Sequence, residues 1–236
     1  MKIQLENKNG FLSASSLKIM ACIFMFIDHV GLEIFTQINI LRVIGRLAYP
    51  IFAFFIAEGC KYTKNKTKRF VTMFLLGVLC EIIYIAYNGH YYGNILITFS
   101  LSVLLIHSLQ KITDSLTDFI KLAVIFAGVY IICTQIGVDY GFSGVIAPVF
   151  AIIPDLKGKK SSFLVRLGLF TVGVIFVILE NSMNGIQKWS LLAIPLLALY
   201  NGNAGNRKLK YGFYLFYPLH LVVIYFVSEI MNYWRA

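Results

Sequence analysis

Asp28-His29, Glu33, Arg42, Arg46, Tyr217 and His220 all fall inside long apolar stretches, where ionisable side chains are scarce. An ionised group at mid-bilayer on a lone helix costs about 2.5–3.5 kcal/mol on insertion scales, so such residues face a protein interior or water and take partners. An imidazole titrates near neutral pH and accepts a proton from an attacking group, while a guanidinium or phenol steadies developing negative charge. The group therefore points to proton-transfer chemistry. Helical spacing sorts its partners. Asp28 and His29 are adjacent, about 100° apart around a helix, and do not face each other. His29 and Glu33, four apart, share a face, so Glu33 is the candidate to orient the imidazole and Asp28 is expected to bridge to Arg46. Arg42, Arg46, Tyr49 and Ala53 form one stripe of a second helix. Glu81 and Asp139 complete the expected polar cluster, and Glu58 is a further acid within an apolar run.

Each residue also has a purely structural reading. Arg46 with Asp28 or Glu81 makes a buried ion pair that fixes helix order without any chemistry. Tyr217, Pro218 and His220 support a proline-interrupted helix. His90, in the loop NGHYYGN, and His107, at a helix end, read as structural. Lys61 to Arg69, KYTKNKTKR, serves as an orientation signal or as a seat for the phosphates of an acyl carrier, with Lys64, Lys66, Lys68 and Arg69 as the binding cations. Cys22, Cys60, Cys80 and Cys133 have no metal-ligand spacing and read as small buried hydrophobes. No Gly-rich phosphate loop, GxSxG or HExxH occurs, which removes the familiar soluble catalytic frameworks.

The elements that must position these residues follow from composition. Of 236 residues, 58% are hydrophobic and only 14% charged. Ordinary soluble domains carry about 25% charged residues, so a soluble enzyme is excluded and the expected fold is an all-α, polytopic transmembrane helix bundle forming a single domain over 1–236. Apolar runs predict nine spans near 17–36, 40–60, 70–87, 93–110, 119–137, 139–154, 163–180, 186–200 and 211–233. The first has no cleavage site after it and carries Asp28 and His29, so it is expected to be a retained helix.

Nine crossings from a cytoplasmic N-terminus put 17 of the 21 basic residues inside. They are Lys2, Lys8 and Lys18, then Lys61, Lys64, Lys66, Lys68 and Arg69, then Lys111 and Lys121, then Lys157, Lys159, Lys160 and Arg166, and finally Arg207, Lys208 and Lys210. That asymmetry is the positive-inside pattern, with the C-terminus outside. The net charge of +10 then reports orientation, and nucleic acid is not an expected partner. Asp28, His29, Glu33, Arg42 and Arg46 share the outer half of the membrane, with Tyr217 and His220 near its middle.

The stretches LKIMACIFMFIDHVG and LRVIGRLAYPIFAFFIAEGCKYTKNKTKRF, with YGFYLFYPLHLVVIYF near the end, resemble the TraX family of membrane proteins, whose namesake acetylates the N-terminal amine of conjugative F pilin. The specific features are Asp28-His29, Gly45-Arg46, Pro50, Glu58-Gly59 and Tyr217-Pro218-x-His220, in order over nearly the whole chain. Ser102, in ITFSLSVLL, stands where a glycine is usual.

The resemblance implies a cell-membrane, multi-pass acetyltransferase using acetyl-CoA as co-substrate. Asp28 and His29 would be its catalytic pair, with Arg46, Glu58, Tyr217 and His220 around the site. His29 is then the expected base, with His220 the alternative, and Arg46 or Tyr217 steadies the oxyanion. The expected acceptor is an amine, either the N-terminus of a pilin or other secreted peptide or an amino sugar; a hydroxyl acceptor also fits. The pantetheine arm of coenzyme A is expected to rise from the basic segment between the first, second and last spans. A different class, a proton-coupled transporter or channel with an Asp28, His29, Glu81 and His220 relay, is the alternative.

Overall fold

The computed structural model describes residues 10–113, 115–158, 161–181, 185–206 and 208–235. Lys2, Lys8, Lys159, Lys160 and Arg207, which enter the loop-charge reading, lie outside the described residues. The described residues are almost entirely helical: α1 (Ala14–Glu33), α2 (Asn39–Gly45), α3 (Ala48–Tyr62), α4 (Lys66–Asn88), α5 (Ile95–Leu109), α6 (Leu116–Ile131), α7 (Gly141–Phe150), α8 (Phe163–Glu180), α9 (Ala193–Ala198) and α10 (Leu209–Arg235). Six helical segments among them are long and apolar enough to cross a membrane: Ala14–Glu33, Asn39–Tyr62, Lys66–Asn88, Leu116–Ile136, Phe163–Glu180 and Gly212–Met231. Ile95–Leu109 and Gly141–Leu156 are shorter apolar helices. The expected span at 186–200 is no continuous α-helix but a 3₁₀ segment, Gln187–Leu192, running into the six-residue α9.

The chain forms two compact units, one from 1–52, 82–91 and 182–236, the other from 53–81 and 92–181. In the first, Ser13 caps α1 by accepting the Ser16 N–H at 3.2 Å. The buried seam of α1 runs through Ala14, Leu17, Ala21, Met25 and Asp28, in steps of three or four residues, so the carboxylate occupies a position where an apolar residue would ordinarily pack. Gly31 and Gly45 bring α1 and α2 together. A Cβ on Gly31 would press on Leu41, and one on Gly45 would overlap the Asp28 side chain.

Between α2 and α3 the helix breaks at Arg46 and Leu47, where the Leu47 N–H turns back to Ile44 at 3.2 Å. Pro50 explains the break. It has no N–H for the Arg46 carbonyl four residues earlier, and its ring crowds that carbonyl. The break sits at the arginine that the site uses.

α1 and α10 run parallel in register. Lys18 lies over the Phe213 ring at 6.0 Å, His29 meets His220, and the Ser228 hydroxyl donates to the Glu33 carbonyl at 3.2 Å. The segment from Gln187 to Tyr200 travels the length of α1 in the opposite sense. Its start receives Arg46 at the Asp28 level, while its end pairs with Leu12, the Leu12 N–H donating to Leu199 and the Asn201 N–H to Leu12, both at 2.9 Å. Leu12 to Asp28 is roughly 24 Å of helical rise, and six 3₁₀ residues followed by six α residues cover about 21 Å. The 3₁₀ stretch rises farther per residue, so a short segment returns most of the way along α1.

In the second unit α5 is the core helix, buried from Ile95 to His107 on nearly every face. Ser102 has a definite role there. Its hydroxyl is within bonding distance of the Val145 carbonyl on α7 at 2.8 Å and of the Thr98 carbonyl at 3.1 Å, so it ties α5 to α7. Gly173 of α8 packs against the Ala147 backbone, and Phe54, Phe163 and Phe170 meet edge to face around α3 and α8.

Candidate functional site

In the first unit Asp28 is the anchor of a cation pair. Its Oδ2 accepts from Arg42 Nη1 at 2.7 Å and from Arg46 Nη2 at 2.5 Å, and Arg42 also donates to the Asp28 backbone carbonyl at 3.2 Å. The expected single bridge to Arg46 is thus a fork that takes both guanidinium groups of the α2 stripe. Arg46 Nη1 donates onward to Gln187 Oε1 at 3.3 Å, and Gln187 Nε2 donates to the Ser190 hydroxyl at 2.7 Å. Gln187 and Ser190 are site residues that sequence reasoning missed, because neither is charged and both lie in an unremarkable apolar run.

The two histidines are oriented identically. His29 Nδ1 lies 2.9 Å from the Met25 carbonyl, and His220 Nδ1 lies 3.0 Å from the Phe216 carbonyl, each one turn back on its own helix. A carbonyl only accepts, so Nδ1 carries the proton in both rings, and the lone pair of each neutral ring falls on Nε2. The rings meet edge to face with centroids 5.0 Å apart. His220 Nε2 is buried with no hydrogen-bond partner among the described residues. His220 also stacks on Phe216 and meets the edge of Tyr217 at 5.3 Å. Glu33 does not orient His29, as the spacing suggested; the Met25 carbonyl does, because a side chain already within reach of its own backbone needs no second partner.

The remaining predicted acids have other work. Glu81 is a capping residue of the second unit, accepting the N–H groups of Tyr92, Gly93 and Asn94 at 2.6, 3.1 and 3.0 Å and the Asn94 side chain at 2.8 Å. With its oxygens committed to the start of α5, it is no free relay group. Asp139 accepts the Tyr92 hydroxyl at 3.0 Å, while its backbone carbonyl takes the Thr98 hydroxyl at 2.8 Å.

Glu58 pairs in the second unit with Arg166, and with Lys61 at 3.5 Å; Lys61 also pairs with Asp155. Arg166 Nε reaches Asp155 at 3.2 Å and the Ala151 carbonyl at 3.2 Å, and Ser161 donates its N–H and hydroxyl to Asp155. Two acids and two bases thus form a neutral buried network. Arg166, counted among the inner basic residues at the start of the expected 163–180 span, is completely buried in the first turn of α8. Its position within the apolar run FLVRLGLF was the available signal.

The basic segment divides. The Arg69 guanidinium donates to the Ile56 carbonyl and to the Thr63 hydroxyl, both at 3.0 Å, and a Cβ on Gly59 would overlap it. It closes the end of α3 and is correspondingly less available for phosphate. Lys64 and Lys68 are exposed, and Lys66 is half-buried.

The chain matches the family described as TraX protein over residues 13–228. It is 28% identical, over 92% of its own length and 96% of the relative's, to a probable fimbrial assembly protein (FimC, serogroup H1) of Dichelobacter nodosus. It is also 28% identical, over 70% of its length and 64% of the relative's, to an uncharacterized protein of Rickettsia prowazekii. No solved structure matches the chain significantly.

Proposed function

The chain belongs to the TraX family, and on that premise we propose that this multi-pass membrane protein is an acetyltransferase of the cell membrane, moving an acetyl group from cytosolic acetyl-CoA to an amine at the outer half of the bilayer. The observation that carries the reading is the pair of imidazoles, His29 and His220, with both Nδ1 atoms tied to backbone carbonyls and both Nε2 lone pairs left for chemistry. His29 takes the proton of the attacking amine as the C–N bond forms. The thioester C–S bond breaks, and the proton passes to the departing thiolate, giving the amide and the free thiol. The Asp28-anchored guanidinium pair carries a net positive charge beside the imidazoles, the sign needed to steady an oxyanion. Tyr217, at the edge of His220, is the second candidate donor.

Nine crossings with the N-terminus inside and the C-terminus outside remain the proposed topology. The parallel run of α1 and α10, together with the return of residues 187–200 along α1, supports an odd number of crossings. Lys64, Lys66 and Lys68 are the proposed phosphate seat for the donor. The acceptor is proposed to be the N-terminus of a pilin or other secreted peptide, or an amino sugar; the name of the Dichelobacter relative favours a pilus subunit. Mass spectrometry of extracytoplasmic peptides and envelope glycans, with and without this protein, tests the reading. One acetyl group should disappear from one species when the protein is absent, and identical spectra overturn it.

A further inference from the structure

We propose that Gln187 is a positioning residue of the acyl-transfer site: it fixes Arg46 as the group that meets the oxyanion and, being neutral, leaves that arginine its charge. The inference rests on the acetyltransferase reading and adds to it a residue without a role there. As the amine attacks, the C–N bond forms and the carbonyl π pair moves onto oxygen; when the C–S bond breaks, that pair returns to restore the C=O. In between, one negative charge rests on the oxygen, and a cation already held in place lowers its energy without having to turn toward it.

The two guanidinium groups on Asp28 are held differently. Arg42 reaches Asp28 through one nitrogen, Nη1, which donates to the carboxylate at 2.7 Å and to the backbone carbonyl at 3.2 Å. Arg46 is gripped at both terminal nitrogens by two different elements. Its Nη2 donates to Asp28 on α1 at 2.5 Å, and its Nη1 to Gln187 on the 3₁₀ segment at 3.3 Å. A planar fork held at two points has its plane fixed, whereas one held at a single nitrogen pivots there. The Arg46 side chain is also the less exposed, 14% against 23%, and a charge acts more strongly with less water around it.

The 3₁₀ geometry makes Gln187 a fixed clamp. With three residues to the turn, positions i and i+3 eclipse, so Ser190 stands directly over Gln187; the Trp189 N–H returns to the Ile186 carbonyl at 3.1 Å in the same turn. In an α-helix, at about 100° per residue, the hydroxyl would lie roughly 60° aside. Here it accepts from Gln187 Nε2 at 2.7 Å, which turns Oε1 to the arginine. Gln187 is 5% exposed and Ser190 is fully buried, so the amide is shielded from water that would compete for these bonds. A glutamate at 187 would fit the same space and grip Arg46 harder, yet with Asp28 it would cancel both arginines. The neutral amide leaves one net positive charge among these four side chains.

The test compares kcat and the KM values for acetyl-CoA and for a peptide with a free N-terminus, on the full chain in nanodiscs. Gln187→Glu, which keeps shape and contacts, should lower kcat at least about tenfold, against about 10²–10³-fold for losing an oxyanion donor outright. Both KM values should stay within about twofold of the parent's, the signature of an interaction made only in the transition state, and the unfolding midpoint should not fall. Lys188→Gln, one residue on and exposed, lowers the local charge by the same amount and should leave kcat at the parent's value. Ser190→Ala, which lets the amide turn without changing any charge, should lower kcat severalfold with KM unmoved. Gln187→Glu that turns over like the parent makes Gln187 a mere tie between the 3₁₀ segment and α2, and overturns the positioning role while acetyl transfer stands. A fall matched by Lys188→Gln is a general field effect and overturns it too. Should Gln187→Glu fail to fold, Ser190→Ala at the parent's kcat overturns the role by itself. A parent that transfers no acetyl group overturns the acetyltransferase reading and this role with it.

Discussion

The rings of His29 and His220 meet edge to face at 5.0 Å, on two parallel helices from opposite ends of the chain. Each is held by its own helix through Nδ1, so the pair is set by the register of α1 against α10 and not by any acid. Charge enters the site separately, through Asp28 and its two arginines. Orientation and electrostatics can therefore be perturbed one at a time.

Asp28→Asn should be a stability variant first. Removing one partner of a buried ion pair costs about 3–5 kcal/mol because the surviving charges lose their compensation, and here two guanidinium groups lose it together. Thermal unfolding in detergent should show a lower midpoint. Partial recovery is expected in Asp28→Asn combined with Arg42→Gln, and an unchanged midpoint in the single variant would remove Asp28 from its anchoring role.

Gly45→Ala tests the same contact by crowding. Its added methyl would overlap the Asp28 side chain, so the helices must part or the carboxylate must turn from the arginines. Overpacking of this kind costs about 1–3 kcal/mol. Gly128→Ala, where nothing lies within reach of a new Cβ, should leave the midpoint near that of the parent.

Much of this was legible in the sequence, and the exceptions have physical reasons. Hydropathy located the long helices, since a lipid-facing surface must be apolar throughout. It overextended one element: 186–200 is apolar enough for a span, yet it packs as a 3₁₀ turn and a short helix. Helical spacing puts Arg42 and Arg46 on one stripe with Asp28 as the partner of Arg46, and the structure adds Arg42 to the same carboxylate. Spacing also suggested Glu33 for His29, because it compares side chains with side chains and overlooks the backbone carbonyl one turn back. Charge counting treats Arg166 as an orientation signal at the inner end of the 163–180 span, although its place inside an apolar run marks it for burial with acid partners. The role of Glu81 in accepting the N–H groups ahead of α5 was not read from the sequence, since capping across a loop leaves no helical-spacing pattern.

The basic segment should separate into two behaviours. Neutralising Lys64, Lys66 and Lys68 to glutamine should raise the KM for acetyl-CoA with little change in kcat, the signature of lost uniform binding, and the effect should shrink at high salt. Arg69→Gln should lower the unfolding midpoint, because its guanidinium closes the end of α3. An unchanged KM in the triple variant would leave the lysines as an orientation signal and move the donor site elsewhere.

Topology is checked with a reporter active only outside the cytoplasm. Fused after Ala236 it should be active, and inserted at Asn65, between α3 and α4, it should be silent. The expectation follows from the proposed nine crossings, with which the parallel run of α1 and α10 agrees. Activity from both positions would contradict the assignment.

The most direct measurement is acetyl transfer by the purified chain in nanodiscs, from acetyl-CoA to a peptide with a free N-terminus, comparing the parent with His29→Ala. A positioned base contributes about 10²–10⁴-fold, so turnover should fall by at least about a hundredfold while the unfolding midpoint stays close to that of the parent. Turnover near the parent's in His29→Ala would remove His29 as the base. A parent protein that transfers no acetyl group to any amine would contradict the proposed activity itself.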